Sequence, residues 1–276
     1  MNKEKLRSII SKKAKGDNTL SGQLYQMFFF ERILERISVS RYKHNIILKG
    51  GLLLSSIIGD DERTTKNMDA TLKSMPLEKE NIQGIFEEIL NIQLDDNATF
   101  EILDIKDIRE EDEYGGFKIN IMAKMDNMRI HLAIEITTGD KITPREIDYN
   151  YNSIFEDKKI PILAYTIETV IAEKYHTVVT RGLLNTRMKD FYDIYILISK
   201  NKNIINMPNL KTAIFNTFKH RNTEIDILEI QETISDIKKD KEMNKLWKNY
   251  QKNAIYAKDI KFEDLFESLD FITSIL

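Results

Sequence analysis

The stretch that decides the fold is Leu48-Lys49-Gly50-Gly51, followed after a short apolar run by Asn67-Met68-Asp69-Ala70-Thr71. The pattern predicts a strand over 45–48, a tight glycine turn, a helix from Leu52 to Ile58 and a second strand over 65–72. Gly50 and Gly51 let the backbone approach a phosphate closely. The turn feeds a helix N-terminus, whose free N–H groups favour negative charge. On the second strand Asn67, Asp69 and Thr71 share one face, while Met68, Ala70 and Leu72 share the other. Asp69 therefore stands on a polar face beside the turn, where a carboxylate could hold Mg²⁺ (or Mn²⁺) against bound phosphates. Taken alone, a glycine pair before an apolar run is an ordinary strand-to-helix turn.

Upstream, residues 3–15 form a basic amphipathic helix, and Gly16-Asp17-Asn18 breaks the chain. Residues 19–38 carry apolar side chains at helical spacing, with Phe28-Phe29-Phe30 assigned to the core. Glu31, Arg32, Glu35 and Arg36 are expected to form a solvated, charged face of this helix.

Downstream, loops are expected over 59–62 and in the acidic stretch 110–114, with a helix over 77–91 and a strand over 100–108. Two alternating runs, 117–125 and 128–137, are joined by Asp126-Asn127 and predict a hairpin. Its second strand puts Arg129, His131, Ala133 and Glu135 on one face, making Glu135 a candidate third metal ligand. A strand over 160–165 precedes a helix over 168–180 that carries Lys174, with Arg181 about two turns later. The next helix, within 185–200, holds Asp190 and Asp193 on one face. Lys174 suits phosphate contact, and Asp190 at a helix start could act as an N-cap or as an acid or base. From Pro208 onward the pattern is helical, over 210–218, 225–237, 243–257 and 262–276. The lysine-rich stretch 238–261, interleaved with Trp247, Tyr250 and Tyr256, reads as a solvated face or as a nucleic-acid surface.

The 276 residues are 42% hydrophobic and 31% charged, enough for one large domain or two small ones with a core. A net charge of −3 argues against a uniformly basic nucleic-acid coat. The absence of cysteine removes disulfides, zinc–thiolate sites and thiol nucleophiles, and fits a cytoplasmic protein. No window resembles a membrane span or a secretory signal.

The run from Arg36-Ile37-Ser38 to Leu48-Lys49-Gly50-Gly51, with Arg63-Thr64-Thr65-Lys66-Asn67-Met68-Asp69, resembles the AbiEii family. These are nucleotidyltransferase-like toxins of toxin–antitoxin and phage abortive-infection systems, similar to the MenT toxins. The later pattern Ala172-Glu173-Lys174, Arg181, Arg187, Lys189-Asp190 and Asp193 also resembles theirs. The resemblance implies an α+β fold: a DNA polymerase β-type nucleotidyltransferase core with a mixed or antiparallel sheet and flanking helices, plus a helical C-terminal domain. The expected domains are 1–205, with N-terminal helices in 1–40, and 206–276.

It further implies transfer of a nucleoside monophosphate from a nucleoside triphosphate to an acceptor such as a tRNA 3′ end. A cognate antitoxin would act without a stable complex. The implied roles are catalytic for Asp69, Lys174, Asp190 and Asp193; nucleotide-binding for Lys49, Gly50, Gly51, Lys174 and Arg181; and metal-binding for Asp69, Asn67 and Glu135. The sequence departs from the superfamily pattern at Asn67, where an acid is usual, at Gly51, where serine is common, and in a longer spacing between them. The alternative reading is a GTP-type nucleotide-binding switch or interaction module without transfer activity.

Overall fold

The computed structural model describes residues 1–59, 63–108 and 115–276. The expected loops at 60–62 and 110–114 lie outside the described residues. The chain forms two compact units, one of residues 1–140 with 146–164 and one of 141–145 with 165–276. The junction expected after residue 205 falls inside the second of these.

The first unit begins with two capped helices. α1 (Lys3–Ala14) starts at Asn2, whose side chain accepts from the Lys5 amide at 2.9 Å. α2 (Asn18–Val39) starts at Asp17, which accepts from the amides of Thr19 and Leu20. Such caps satisfy amides that the helix itself leaves bare. The remaining elements are β1 (Ile46–Lys49), α3 (Gly50–Ile58), β2 (Met68–Leu72), α4 (Lys79–Leu90), β3 (Thr99–Ile108), β4 (Gly116–Met125), β5 (Met128–Thr137), β6 (Ile147–Asn152) and β7 (Lys159–Ala164). The strands build one mixed sheet in the order β3-β4-β5-β2-β1-β7-β6. The β2/β5 and β1/β7 pairs are parallel, and the others antiparallel. The β4–β5 hairpin turns at Asp126 with a positive φ of 52°. β6 was not legible in the sequence: it is an edge strand, exposed or half-exposed except for Tyr151, so no alternation marks it.

Phe28, Phe29 and Phe30 are fully buried, as expected, and edge-to-face contacts tie Phe28 to Phe155 and Phe29 to Phe100. The expected solvated face of α2 is corrected. Glu31, Arg32, Glu35 and Arg36 are between 0% and 5% exposed. Arg36 forks onto Asp96 at 2.6 and 3.0 Å and donates to the Ala98 carbonyl. Arg32 pairs with Glu35 at 3.0 Å and with Glu156 at 2.7 Å. Glu31 accepts from the Ile154 amide and from the Ser153 hydroxyl. Helical periodicity sees only the charges. The partners that make their burial tolerable lie far off in sequence.

The second unit is helical: α5 (Ile167–Arg181), α6 (Met188–Asn201), α7 (Met207–His220), α8 (Ile227–Lys239), α9 (Lys241–Asn253) and α10 (Asp264–Ser274). α5 packs on α6 and α7, and α10 on α6 and α8. Trp247 is 1% exposed, donates its indole N–H to the Ile260 carbonyl and stacks on Tyr250. Tyr250 and Tyr256 join hydroxyls at 3.0 Å and both lie against Tyr192. These aromatics seat α9 on α6, so Trp247 is a core residue rather than an open stacking platform. Among the described residues, no helix is long and apolar enough to cross a membrane.

Candidate active site

Strand register builds the first constellation. Lys49 of β1 lies opposite Asp69 of β2, Asp69 opposite Glu135 of β5, and Glu135 opposite Lys118 of β4. Paired residues share a face, so these four side chains form one charged row across the sheet. β1 ends at Lys49 and turns directly into α3 through Gly50, whose φ is +64°. Only glycine adopts that backbone freely. Space also excludes a side chain there: an added Cβ at Gly50 would fall on the Asp69 carboxylate, 2.7 Å from its Cβ and Cγ. The Gly51 amide donates to Asp69 Oδ2 at 3.2 Å. The turn and the acidic strand are thus in direct contact.

Around this contact the polar groups are ordered. Lys49 Nζ donates to Asp140 Oδ2 and to Thr137 Oγ1, both at 2.7 Å, and Thr71 also bonds Asp140. Glu135 Oε1 accepts from Lys118 at 2.9 Å and from the Asn67 amide at 3.1 Å. Asp69 and Glu135 are half-buried and present oxygen, the donor type hard divalent cations prefer. Asp69, Glu135 and the side-chain oxygen of Asn67 are the groups here that could hold a divalent cation, with substrate or water in its other positions. Among the described residues, no group of three His, Cys, Asp or Glu side chains converges as a closed metal cage.

The second constellation lies in the helical unit. Lys174 of α5 reaches Asp190 Oδ1 and Asp193 Oδ2 of α6, each at 2.7 Å. The aspartates are 2% and 0% exposed. Arg187 adds a contact to Asp190 Oδ2 at 3.2 Å. Burial alone would raise the Asp190 pKa, but the charges of Lys174 and Arg187 outweigh it and hold the carboxyl below its usual range. The suggestion that Asp190 caps the helix is corrected: the N-cap is Arg187, with no side-chain cap, and the Asp190 carboxylate turns to Lys174. Arg181 is exposed at the last turn of α5.

The sequence-chosen residues therefore fall into two groups. Lys49, Gly50, Gly51, Asn67, Asp69 and Glu135 gather on the sheet, and Lys174, Asp190 and Asp193 gather between two helices. Sequence reasoning gave no role to Lys118 and Thr137, which cross-strand register brings in, to Thr71, which alternation puts on the polar face of β2, or to Asp140, which bonds Thr137 from the loop after β5. It also gave no role to Arg63, which is 3% exposed and donates to the Gly51 carbonyl at 2.8 Å.

Two solved structures share this architecture. One is a provisionally named nucleotidyltransferase from H. pylori, at 13% identity and a TM-score of 0.54 over 92% of this chain and 93% of that one. The other is JHP933 from Helicobacter pylori, at 15% identity and a TM-score of 0.51 over 92% and 90%. With a glycine turn abutting a strand aspartate in a mixed sheet, the chain has the nucleotidyltransferase fold. It belongs to the AbiEii nucleotidyl transferase toxin family of type IV toxin–antitoxin systems, which it matches over residues 32–268. Among curated proteins, no sequence matches it significantly.

Proposed function

We propose that this toxin transfers a nucleoside monophosphate from a nucleoside triphosphate to an RNA acceptor, with Mg²⁺ held by Asp69 and Glu135 and flanked by Asn67. The observation that carries the reading is the contact of Gly50 and Gly51 with the Asp69 carboxylate. It sets an anion-binding helix terminus against a cation-binding oxygen. When bound, the cation would neutralise charge on the phosphates and polarise the reacting phosphoryl group.

The chain's own groups do the rest. The Gly50–Gly51 turn and the first amides of α3 orient the triphosphate. Lys49 is held by Asp140 and Thr137, so its charge stays beside the turn. Lys118 and the Asn67 amide fix Glu135 in one orientation. By resemblance to the family, Lys174 contacts phosphate, Arg181 adds positive charge for the nucleotide, and Asp190 with Asp193 positions the acceptor. The reaction is in-line displacement at the α-phosphorus: the acceptor hydroxyl forms the new P–O bond, loses its proton, and pyrophosphate leaves. Rate enhancement comes from positioning and charge neutralisation. The similarity to MenT toxins supports a tRNA 3′ end as acceptor, and family membership supports a cognate antitoxin acting without a stable complex.

A second reading rests on Asn67. Its amide donates to Glu135 where an acid is usual, which leaves one fewer charge for a second cation. The chain would then bind nucleotide as a switch without turnover. Incubation of each α-labelled nucleoside triphosphate with total tRNA and Mg²⁺ separates the two. Transfer by the wild type and none by Asp69→Ala is the expected result. Binding without incorporation of any label would favour the switch.

A further inference from the structure

Residues 63–65, just before β2, lie against the glycine turn, and two of their side chains act on Gly51. Arg63 is almost fully buried, and its Nη1 donates to the Gly51 carbonyl at 2.8 Å. Thr65 fills the space where a side chain at position 51 would lie: an added Cβ would meet Thr65 Oγ1 at 2.5 Å, Thr65 Cβ at 2.9 Å and Arg63 Nη1 at 3.1 Å. Thr65 is in turn fixed by its hydroxyl, which donates to the Asn67 carbonyl at 3.0 Å. That places it two residues from the start of the bond between Asn67 and Glu135. Gly51 has no positive φ, so its backbone would accept any residue. Space alone requires glycine there, and Arg63 and Thr65 define that space.

We infer that Arg63 and Thr65 are positioning residues that set the shape of the Gly50–Gly51 turn, and through it the affinity for a nucleoside triphosphate. The inference rests on the nucleotide-binding reading above. Arg63 and Thr65 pack on the turn, and glycine stands at position 51 because Thr65 occupies the space a side chain would fill.

The test is a double-mutant cycle on the full chain with Gly51→Ala, Thr65→Gly and the pair. Two quantities are read for each protein: the thermal midpoint, and the Kd of ATP, GTP, CTP and UTP with Mg²⁺. Gly51→Ala in the native background is expected to weaken triphosphate binding at least tenfold. In the Thr65→Gly background the same change is expected to cost less than threefold, since the two closest atoms are gone and only the end of the Arg63 side chain, at 3.1 Å, remains. Arg63→Lys is expected to retain part of the affinity that Arg63→Met loses. If Gly51→Ala costs the same affinity in both backgrounds while the wild type binds, the positioning role is overturned. Coupling in the thermal midpoint without coupling in Kd would also overturn it, leaving a packing contact only. If the wild type binds no triphosphate, the function reading fails, and this inference fails with it. The wild-type titration tells that case from the others.

Discussion

The two charged constellations of this protein are built on opposite principles. On the sheet, Lys118 and Glu135 are 38% and 29% exposed, and the Asp69 carboxylate takes one amide bond at 3.2 Å. In the helical unit, Lys174 is held at 2.7 Å by two aspartates that are themselves buried. An exposed pair is screened and adds little to stability, so its charges stay available to a ligand. A buried cluster is internally neutralised and cannot lose one member without stranding another. The Lys118–Glu135 pair and Asp69 are placed to receive charge from outside, whereas the helix cluster, like Lys49 with Asp140 (15% and 18% exposed), keeps its own. If Lys174 also contacts a phosphate, it does so as a cation already fixed in direction by Asp190 and Asp193.

The largest effect that could break this contrast is on stability. Lys174→Met leaves two buried carboxylates facing each other, and is expected to destabilise the fold by about 3–5 kcal/mol, measured by denaturant unfolding. A loss under about 1 kcal/mol would show that the cluster is as loosely coupled as the sheet row. Next comes Glu135→Gln, which keeps the shape of the side chain and removes its charge. It is expected to change stability by no more than about 1 kcal/mol while weakening Mg²⁺-dependent nucleotide binding. A stability loss matching that of Lys174→Met would place Glu135 among the structural pairs.

The smallest effect concerns a third buried carboxylate, Glu31 of α2. Burial pushes its pKa up to about 7, against the opposing bonds from Ser153 and Ile154. Asp190 is equally buried yet shifted down, because Lys174 and Arg187 face it. Between the usual carboxylate value and about 7, the native state holds a proton on Glu31 that the unfolded chain has released. Its contribution to stability is therefore present at low pH and lost as pH rises through that window. Glu31→Gln should flatten this part of the stability-against-pH curve. A wild-type curve with no fall there would contradict the assignment.

Much of this was legible in the sequence, and the limit is physical. The strand–turn–helix at Lys49-Gly50-Gly51 and the alternating faces of β2 and β5 follow from periods of two and 3.6, which any window reveals. Asp69 and Glu135 could be picked because alternation puts each on the polar side of its strand. Their partnership, and the entry of Lys118 and Thr137, depends on which strands pair and in what register, and Asp140 joins from the loop after β5. A single sequence does not carry that directly. The charged stripe of α2 reads as solvated for a related reason: Asp96, which neutralises Arg36, is 60 residues away in sequence. Arg63 and Thr65 stand in a stretch that resembles the family, but no periodicity marks side chains that pack back on a turn.

The most direct test of the central claim is whether the sheet row binds a triphosphate through a cation. The measurement is nucleoside triphosphate binding by isothermal titration to wild type and to Asp69→Asn, with Mg²⁺ and with EDTA. Asparagine keeps the size of the side chain and removes one charge. Wild-type binding is expected to depend on Mg²⁺, and Asp69→Asn to bind at least tenfold more weakly with the metal while keeping its thermal midpoint. Equal binding by the two proteins, or wild-type binding indifferent to Mg²⁺, would contradict it.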